Sequence, residues 1–578
     1  MMHWTQIQKE LHNKRYHLSR YNAHSVGTFF LKVACGKFVQ CNRATMTVKE
    51  VAIIGCGVAG LASIKCCIDA GLNPTCFEIQ QNVGGVWNYT DEPRPNLASV
   101  HRNTVTNTSK QFSAYSDFPM PKSFPNYLPH RLFQTYLESY AKHFDLVKHV
   151  QFGTEVVHLQ RSNDHKDTGK WLISTRKADS EITTKSFDAV MICTGHLWEQ
   201  FTPKIPGIDK FTGTIIHSGD YRTFHPYVGK RVVVVGCSNS GGDISVDICN
   251  YANQVYLSTR SGGYLMTRVG PGGKPLDFLL TRAISKIVPV NIAMKMSPAV
   301  LNNKIDFKTY GLQPTGTFNV HQFPFINDEL LHHIISGKIK VKKDIREVSE
   351  NSVTLKDGEI LTNVDALIFA TGFKHTYPFA SDIIETKEDY YVSLYKHMFL
   401  PSNDQHTLAV IGAILVQGAD APTCEMQARV AVEVFAKKCM LPSKCKMEQA
   451  IKDREDFWKK TGTSKSNYMR VHFLPYLDEL GEMIGAKPDL WSILKQDPIL
   501  AFKVLFSPAI PAQFRLQGPN AWSGARQHIM DINEHYLGAF KATGDHSSTK
   551  DKSNGNFFYF VYLAILIIVM ALLWSYCQ

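Results

Sequence analysis

The residues of this chain best placed to do chemistry are two sets of glycines, each followed one strand later by a charged side chain. Gly55-x-Gly57-x-x-Gly60 follows the apolar run at 51–54, opens a helical pattern, and is succeeded by a short strand from Pro74 that ends in Glu78. In such a βαβ unit the first glycine makes a tight turn, the second lets backbone approach a pyrophosphate, and the third lets helix pack on strand. The helix N-terminus then offers free N–H groups to the phosphates, and Glu78 offers a carboxylate to a ribose hydroxyl. A second copy starts at Arg231, with Gly236-x-Ser238-x-x-Gly241 after its strand, and the strand at 254–258 runs into Thr259-Arg260 rather than an acid. An arginine pairs with a 2′-phosphate that an acid would repel, so the second site reads as NADP rather than NAD. Serine replaces the middle glycine there; its side chain crowds the pyrophosphate, although the hydroxyl can donate a hydrogen bond instead.

Two further apolar strands, at 189–195 and 366–372, both end in Thr-Gly, small residues that let the chain cross close beside a nucleotide. Together the elements predict an α/β protein with two Rossmann-like domains, the second inserted into the first, an arrangement that resembles the flavoprotein disulfide reductases. The expected segments are a basic extension at 1–45, a first dinucleotide domain at 46–204, a second with an insertion at 205–372, a return to the first domain and a C-terminal region at 373–545, and a linker at 546–556. The run 557–574, FFYFVYLAILIIVMALLW, carries no charge and has aromatics at both ends; about 27 Å of helix makes it a C-terminal transmembrane anchor. Lys550 and Lys552 on its body side place the globular part in the cytoplasm. The extension at 1–45 has seven Lys and Arg against Glu10 alone; it reads as poorly ordered sequence ahead of the first strand.

The chain has 578 residues and a net charge of +12, but its basic residues are spread out, with no basic block interleaved with aromatics, so nucleic acid is not an expected partner. Thirteen cysteines, several inside apolar strands and helices, read as buried thiols of a reducing compartment, and no ligand spacing for a metal is present. Neither a Ser/His/Asp order nor an activated cysteine is recognisable, so a bound cofactor must carry the difficult chemistry.

Between the glycine motifs lies Phe211-x-Gly213-x-x-x-His217-x-x-x-Tyr221, which resembles the fingerprint of the flavin-containing monooxygenases. Gly84-Gly85-Val86-Trp87, Thr106-Asn107-Thr108-Ser109-Lys110, Ser116-Asp117-Phe118-Pro119, Tyr310-Gly311-Leu312, Asn327-Asp328-Glu329-Leu330 and Gln427-Ala428-Arg429 match as well. Within that family the sequence resembles the membrane-bound animal enzymes of the dimethylaniline (N-oxide-forming) type. It departs from the family at Ser238, usually glycine, and at Gln111, usually glutamate. The resemblance implies FAD and NADPH as cofactors. Gly55, Gly57, Val58, Ala59, Gly60 and Glu78 would bind FAD, with Val86 and Trp87 along the flavin. Gly236, Ser238, Asn239, Ser240, Gly241, Gly242, Asp243 and Arg260 would bind NADP, and Gln427 would also touch a cofactor. Thr106, Asn107 and Thr108 would face flavin and nicotinamide, with Asn107 as the catalytic residue, its amide donating to a peroxide oxygen and accepting from a carboxamide. His217 and Tyr221 have two readings, interface packing or a direct chemical role.

The implied reaction is oxygenation of a soft amine nitrogen or thioether sulfur through a C4a-hydroperoxyflavin kept under bound NADP+, in an enzyme of the endoplasmic reticulum membrane. Two alternatives share the cofactors: Baeyer–Villiger oxygenation of ketones, whose enzymes carry tryptophan where this chain has Tyr221, and an NADPH oxidase releasing hydrogen peroxide. The apolar residues of 270–310 and 390–425 are the expected lining of the substrate route.

Overall fold

Parallel strands buried on both faces carry near-continuous apolar sequence, and the two glycine motifs sit where such strands end. A computed structural model describes residues 48–540 apart from 95–96, 179, 288–304, 315–323, 388–389 and 461–467. The expected extension at 1–45, the linker at 546–556 and the anchor at 557–574 lie outside the described residues. Among those described, no helix is long and apolar enough to cross a membrane.

The chain enters with β1 (Glu50–Ile54), α1 (Val58–Asp69) and β2 (Asn73–Phe77), then makes the one-turn helix α2 (Lys110–Ser113), β3 (Val150–Gln151) and β4 (Ala189–Ile192). A second set follows: β5 (Thr214–His217), β6 (Arg231–Val235), α3 (Asn239–Cys249), β7 (Gln254–Thr259), β8 (Ile339–Lys343) and β9 (Ala366–Phe369). After it come β10 (Leu408–Val410) and α4 (Asp420–Phe435). One sheet has the order β10-β4-β1-β2-β3 and the other β8-β7-β6-β9-β5, every pairing parallel. All of the second sheet therefore falls in the chain between β4 and β10 of the first. The outgoing and returning crossings run side by side, pairing Glu199–Gln200 with Phe373–Lys374 antiparallel.

Val51, Ala52 and Ile53 of β1 and Val232, Val233 and Val234 of β6 are wholly shielded from solvent. Burying each larger aliphatic of this kind stabilises the fold by about 1.5–3 kcal/mol. Helix α4 is buried from Ala421 through Phe435 and shares the first sheet's core with α1, so it has no solvent-facing side and its polar residues are buried with the rest. The ten cysteines among the described residues are all unpaired, and eight of them are buried, as expected of small apolar side chains.

Candidate active site

At the end of β1 the chain turns at Gly55 (φ +97°), where a Cβ would stand 2.7 Å from the Cys193 carbonyl oxygen. A Cβ on Gly60 would stand 1.9 Å from the Gly55 carbonyl, so only glycine lets α1 settle on the strand. Gly57 precedes α1 with no side-chain cap, and the first turn carries no acid, which leaves the leading N–H groups for an anion. Gly85 sits against Gly57: a Cβ on Gly85 would lie 3.0 Å from the Gly57 Cα. Val86 and Trp87 follow in the same tight turn, with the Trp87 ring against Phe133. Glu78, buried just past β2, accepts from the backbone N–H of Cys56 (2.5 Å) and Gln80 (2.8 Å). Burial raises its pKa, and these N–H groups oppose the rise.

The second motif repeats this packing. Gly236 (φ +112°) approaches the Ala370 carbonyl, and a Cβ on Gly241 would fall 1.8 Å from the Gly236 carbonyl. Gly242 packs against Phe325. Ser238 precedes α3 in extended backbone (φ −142°), its hydroxyl does not cap the helix, and the first turn again carries no acid. Arg260, just past β7, is exposed and borders two cavities. The smaller, about 450 Å³, also has Lys204, Arg346 and Lys356 on its wall, three cations the sequence did not single out.

The larger cavity is a cleft of about 1430 Å³. From the first motif and its neighbours it receives Val58, Val86, Trp87 and the turn of Thr106, Asn107 and Thr108; from the second, Ser238, Asn239, Ser240, Asp243 and Arg260. Its apolar part includes Leu276, Leu279 and Leu280, within the expected 270–310, and Leu415 and Val416, within 390–425. The 470–475 segment, with Phe473 and Leu474, also lines it and was not anticipated. The half-buried His196 and the buried His375 stack at 5.5 Å on the wall. Burial, and then each other's proximity, holds His375 down to about 3, so it is neutral near pH 7.

Asn107 is held by a residue that the sequence reading missed. Arg268 donates to the Asn107 Oδ1 (2.9 Å) and to the carbonyls of Thr106 (3.0 Å) and Val105 (3.3 Å), while Asp328 takes its Nη1 (2.8 Å). A guanidinium only donates, so the amide must turn its oxygen to Arg268, leaving Nδ2 without a protein partner among the described residues. The amide therefore offers the cleft a donor, while its oxygen, expected to accept from a carboxamide, already accepts from Arg268. The turn is pinned from behind: Thr106 exchanges backbone and hydroxyl bonds with Leu128, and the Lys110 N–H donates to the Asn126 carbonyl.

Other expected contacts are placed differently. Gln427 does not reach the cleft: it is fully buried in α4, accepting from the Gly412 N–H (2.8 Å) and donating to the Tyr476 hydroxyl (2.8 Å). Asp243 reaches the cleft wall, but its carboxylate receives the Asn327 amide (2.7 Å) and burial raises its pKa to about 6; an anion there orders the loop rather than binding phosphates. His217 ends β5 buried against Phe373, and the Tyr221 hydroxyl donates to Asp247 while its ring stacks on Tyr227. Neither residue lines the cleft, so of their two readings the packing one fits. Gln111 is buried and donates to Asn126 (3.0 Å).

Two uncapped helix N-termini, each behind a glycine turn, with one cleft running between them, fit two dinucleotides whose reactive ends meet. The fold and site thus define an oxidoreductase that brings a flavin and a nicotinamide nucleotide together. Residues 48–577 match the model of the flavin-binding monooxygenase-like family. Dimethylaniline monooxygenase (N-oxide-forming) 2 of Oryctolagus cuniculus is 38% identical over 540 residues, 91% of this chain and 99% of the rabbit protein. Flavin-containing monooxygenase 5 of Cavia porcellus is 39% identical over 492 residues, covering 84% of this chain and 92% of its own. The S-allyl-L-cysteine S-oxygenase of Allium sativum shares the fold, with a TM-score of 0.58 at 23% identity over 79% of this chain and 95% of its own. So does cyclohexanone monooxygenase of Rhodococcus sp. Phi1 bound to NADP+, at 0.56 and 18% over 75% and 97%. The chain belongs to the flavin-containing monooxygenase family; it is a flavoprotein monooxygenase whose cofactors are FAD and NADPH.

Proposed function

We propose that this enzyme transfers one oxygen atom of O2 to a soft nitrogen or sulfur lone pair of a small molecule, releasing the other as water with two electrons from NADPH. When bound and reduced, the flavin supplies that oxygen in electrophilic form. The observation that carries the reading is the Asn107 amide on the wall of the cleft between the two glycine turns: its oxygen is tied to Arg268, and its Nδ2 is a donor without a partner among the described residues. An N–H group held there stabilises negative charge on a reacting oxygen without reorganising first. The leading N–H groups of α1, with Glu78, are assigned to FAD; those of α3, with Ser238, Asn239, Ser240 and Arg260, to NADP. The apolar walls at Leu280 and Leu474 exclude water from the reacting atoms and ask little of the substrate beyond a nucleophilic lone pair.

The test is rapid mixing of NADPH-reduced enzyme with O2 in the presence of NADP+. A spectral species that persists until a thioether is added, then collapses with sulfoxide formed, is expected; immediate reoxidation with hydrogen peroxide released would refute the reading in favour of an oxidase. Asn107→Ala is expected to keep its FAD and release peroxide instead of product, by about 100-fold in product rate, the scale of one lost transition-state donor. Equal product yield from this variant would remove Asn107 from the mechanism.

We also propose attachment to the endoplasmic reticulum membrane, the catalytic body facing the cytoplasm. The uncharged run at 557–574 with Lys550 and Lys552 ahead of it supports this reading. Chain truncated after residue 556 should leave the microsomal pellet for the supernatant, and its persistence in the pellet would count against an anchor.

A further inference from the structure

The Asn107 turn is gripped on both flanks by one loop. From Arg268 the chain makes a narrow excursion through Gly270 and Gly273 and closes on itself: the Arg268 carbonyl accepts from the Leu276 N–H (2.8 Å) and from the Tyr127 hydroxyl (2.5 Å). Arg268 leaves this closure toward Val105, Thr106 and Asn107. Asp277, on the other limb, places Oδ2 2.7 Å from the backbone N–H of Ser109, two residues beyond Asn107. Ser109 is the residue before α2, and its own hydroxyl caps nothing, so the Asp277 carboxylate supplies the cap. Asp277 borders the cleft with its Oδ1 shut from solvent, and the buried Ser109 side chain stands beside the carboxylate and, like the backbone N–H, favours its charged form.

A half-buried carboxylate with one oxygen shut from water is an expensive way to hold the single residue Ser109, and a neutral side chain would do it at lower cost if only the fold were at stake. We propose that Asp277 is a positioning residue for oxygen transfer: in its ionised form it grips Ser109 and fixes the Asn107 amide toward the cleft, and protonation loosens that grip. This inference rests on the role given to Asn107 above. The charge matters because an N–H bond to a carboxylate is roughly twice as strong as one to a neutral acceptor. Burial pushes the Asp277 pKa up to about 6, within reach of ordinary assays. Among the described residues no opposite charge is paired with it. From α2, the Lys110 ammonium turns away to the Lys122 and Phe124 carbonyls; from the 122–128 segment, Tyr127 faces it as a neutral phenol; on its own loop Arg268 is occupied by Asp328 and the Asn107 turn, and Lys274 is exposed at the tip.

The sign of the linkage gives a second handle. A carboxyl whose pKa is higher in the folded chain than in the unfolded one costs stability as pH rises from about 4 to about 6, and the cost persists above. Removing the charge should therefore stabilise the fold at pH 8 while harming the reaction.

The experiment measures product formed per NADPH oxidised, from pH 5 to 8.5, in flavin-loaded wild type, Asp277→Asn, Asp277→Ala and Asn107→Ala, with melting temperatures at pH 8. Wild type is expected to lose coupling as pH falls through about 6. Asp277→Asn, isosteric and uncharged, should give a flat profile at the wild type's low-pH level and a melting temperature at pH 8 above wild type. Asp277→Ala should lower coupling at every pH by about tenfold, the scale of a catalytic group displaced by a fraction of an ångström. An acid limb that survives in Asp277→Asn, or wild-type coupling at pH 8 in either Asp277 variant, overturns the inference even if Asn107→Ala uncouples. Full coupling in Asn107→Ala overturns the reading of Asn107 and the inference with it.

Discussion

Arg268 decides what Asn107 can offer. A free carboxamide presents a donor and an acceptor; with Oδ1 already accepting from a guanidinium, the N–H is the group left without a protein partner among the described residues. Replacing Arg268 with glutamine keeps a donor of moderate length but loses the fork that reaches the carbonyls of Val105 and Thr106 as well as Asn107. Hydrogen bonds from a charged group contribute about 1.5–3 kcal/mol each, enough for the amide to rotate freely once they are gone. Arg268→Gln is expected to retain FAD and to divert most NADPH oxidation to hydrogen peroxide, lowering product per NADPH about tenfold. Titrating peroxide against product checks this, and a wild-type ratio would show that Asn107 is oriented by something else. Asn107 was legible in the sequence because its neighbours form a short recognisable string. Arg268 was not, because it meets Asn107 only across 161 positions of chain. Gln427 belonged to a recognisable string too, yet a string says nothing about which way its side chains turn, and this one turns to Gly412 and Tyr476.

Both glycine turns were readable because each packs an element against its immediate neighbour: strand, turn and helix are contiguous, and a Cβ at Gly60 or Gly241 would strike the carbonyl five residues earlier. The one departure inside these elements is Ser238. Its backbone is extended, so glycine would relieve no strain there, and any effect of substitution must come from the side chain itself. That side chain is exposed on the cleft wall at the mouth of α3 and does not cap the helix. Ser238→Gly is expected to lower the NADPH KM about threefold, with FAD content unchanged, because glycine before a helix costs only a few tenths of a kcal/mol against serine. A KM that stays level or rises would mean that the hydroxyl contributes a bond to the phosphates and does not crowd them. The loop that carries Arg268 and Asp277 shows the opposite case. The sequence offered only the apolar residues of 270–310 as lining of the substrate route, and nothing local revealed that the loop's two limbs would reach either side of another turn.

At the scale of the whole molecule the sequence conveyed that two sheets exist and that one lies within the span of the other, since β4 and β9 both end in Thr-Gly crossings. It did not convey what locks the C-terminal region onto the first sheet. Charges along the chain read as solvated surface, yet Arg515 is wholly buried, donating to Glu425 (2.7 Å) and to the Ser116 hydroxyl (2.7 Å) and lying 3.0 Å from Asp117, which also binds Lys65 (2.5 Å). Four distant stretches of chain meet in this network, one of them at the middle of α4. Burial opposes the charge on Asp117, but Arg515 and Lys65 hold its pKa below the usual carboxylate range. Removing Arg515 leaves Glu425 and Asp117 as buried anions with too little positive charge between them. Breaking a buried pair in this way typically costs about 3–5 kcal/mol. The pH dependence distinguishes that cause from a simple cavity. In the wild type, the stability due to Asp117 is present above its unfolded pKa and declines as pH falls through the lower folded one. In Arg515→Ala the uncompensated carboxyls take up protons more readily folded than unfolded, so the deficit should be largest near pH 8 and shrink toward pH 5. Denaturant midpoints of flavin-loaded protein at the two pH values read this directly; a deficit of equal size at both would mean that Arg515 acts by filling space, and that the charges around it are bystanders.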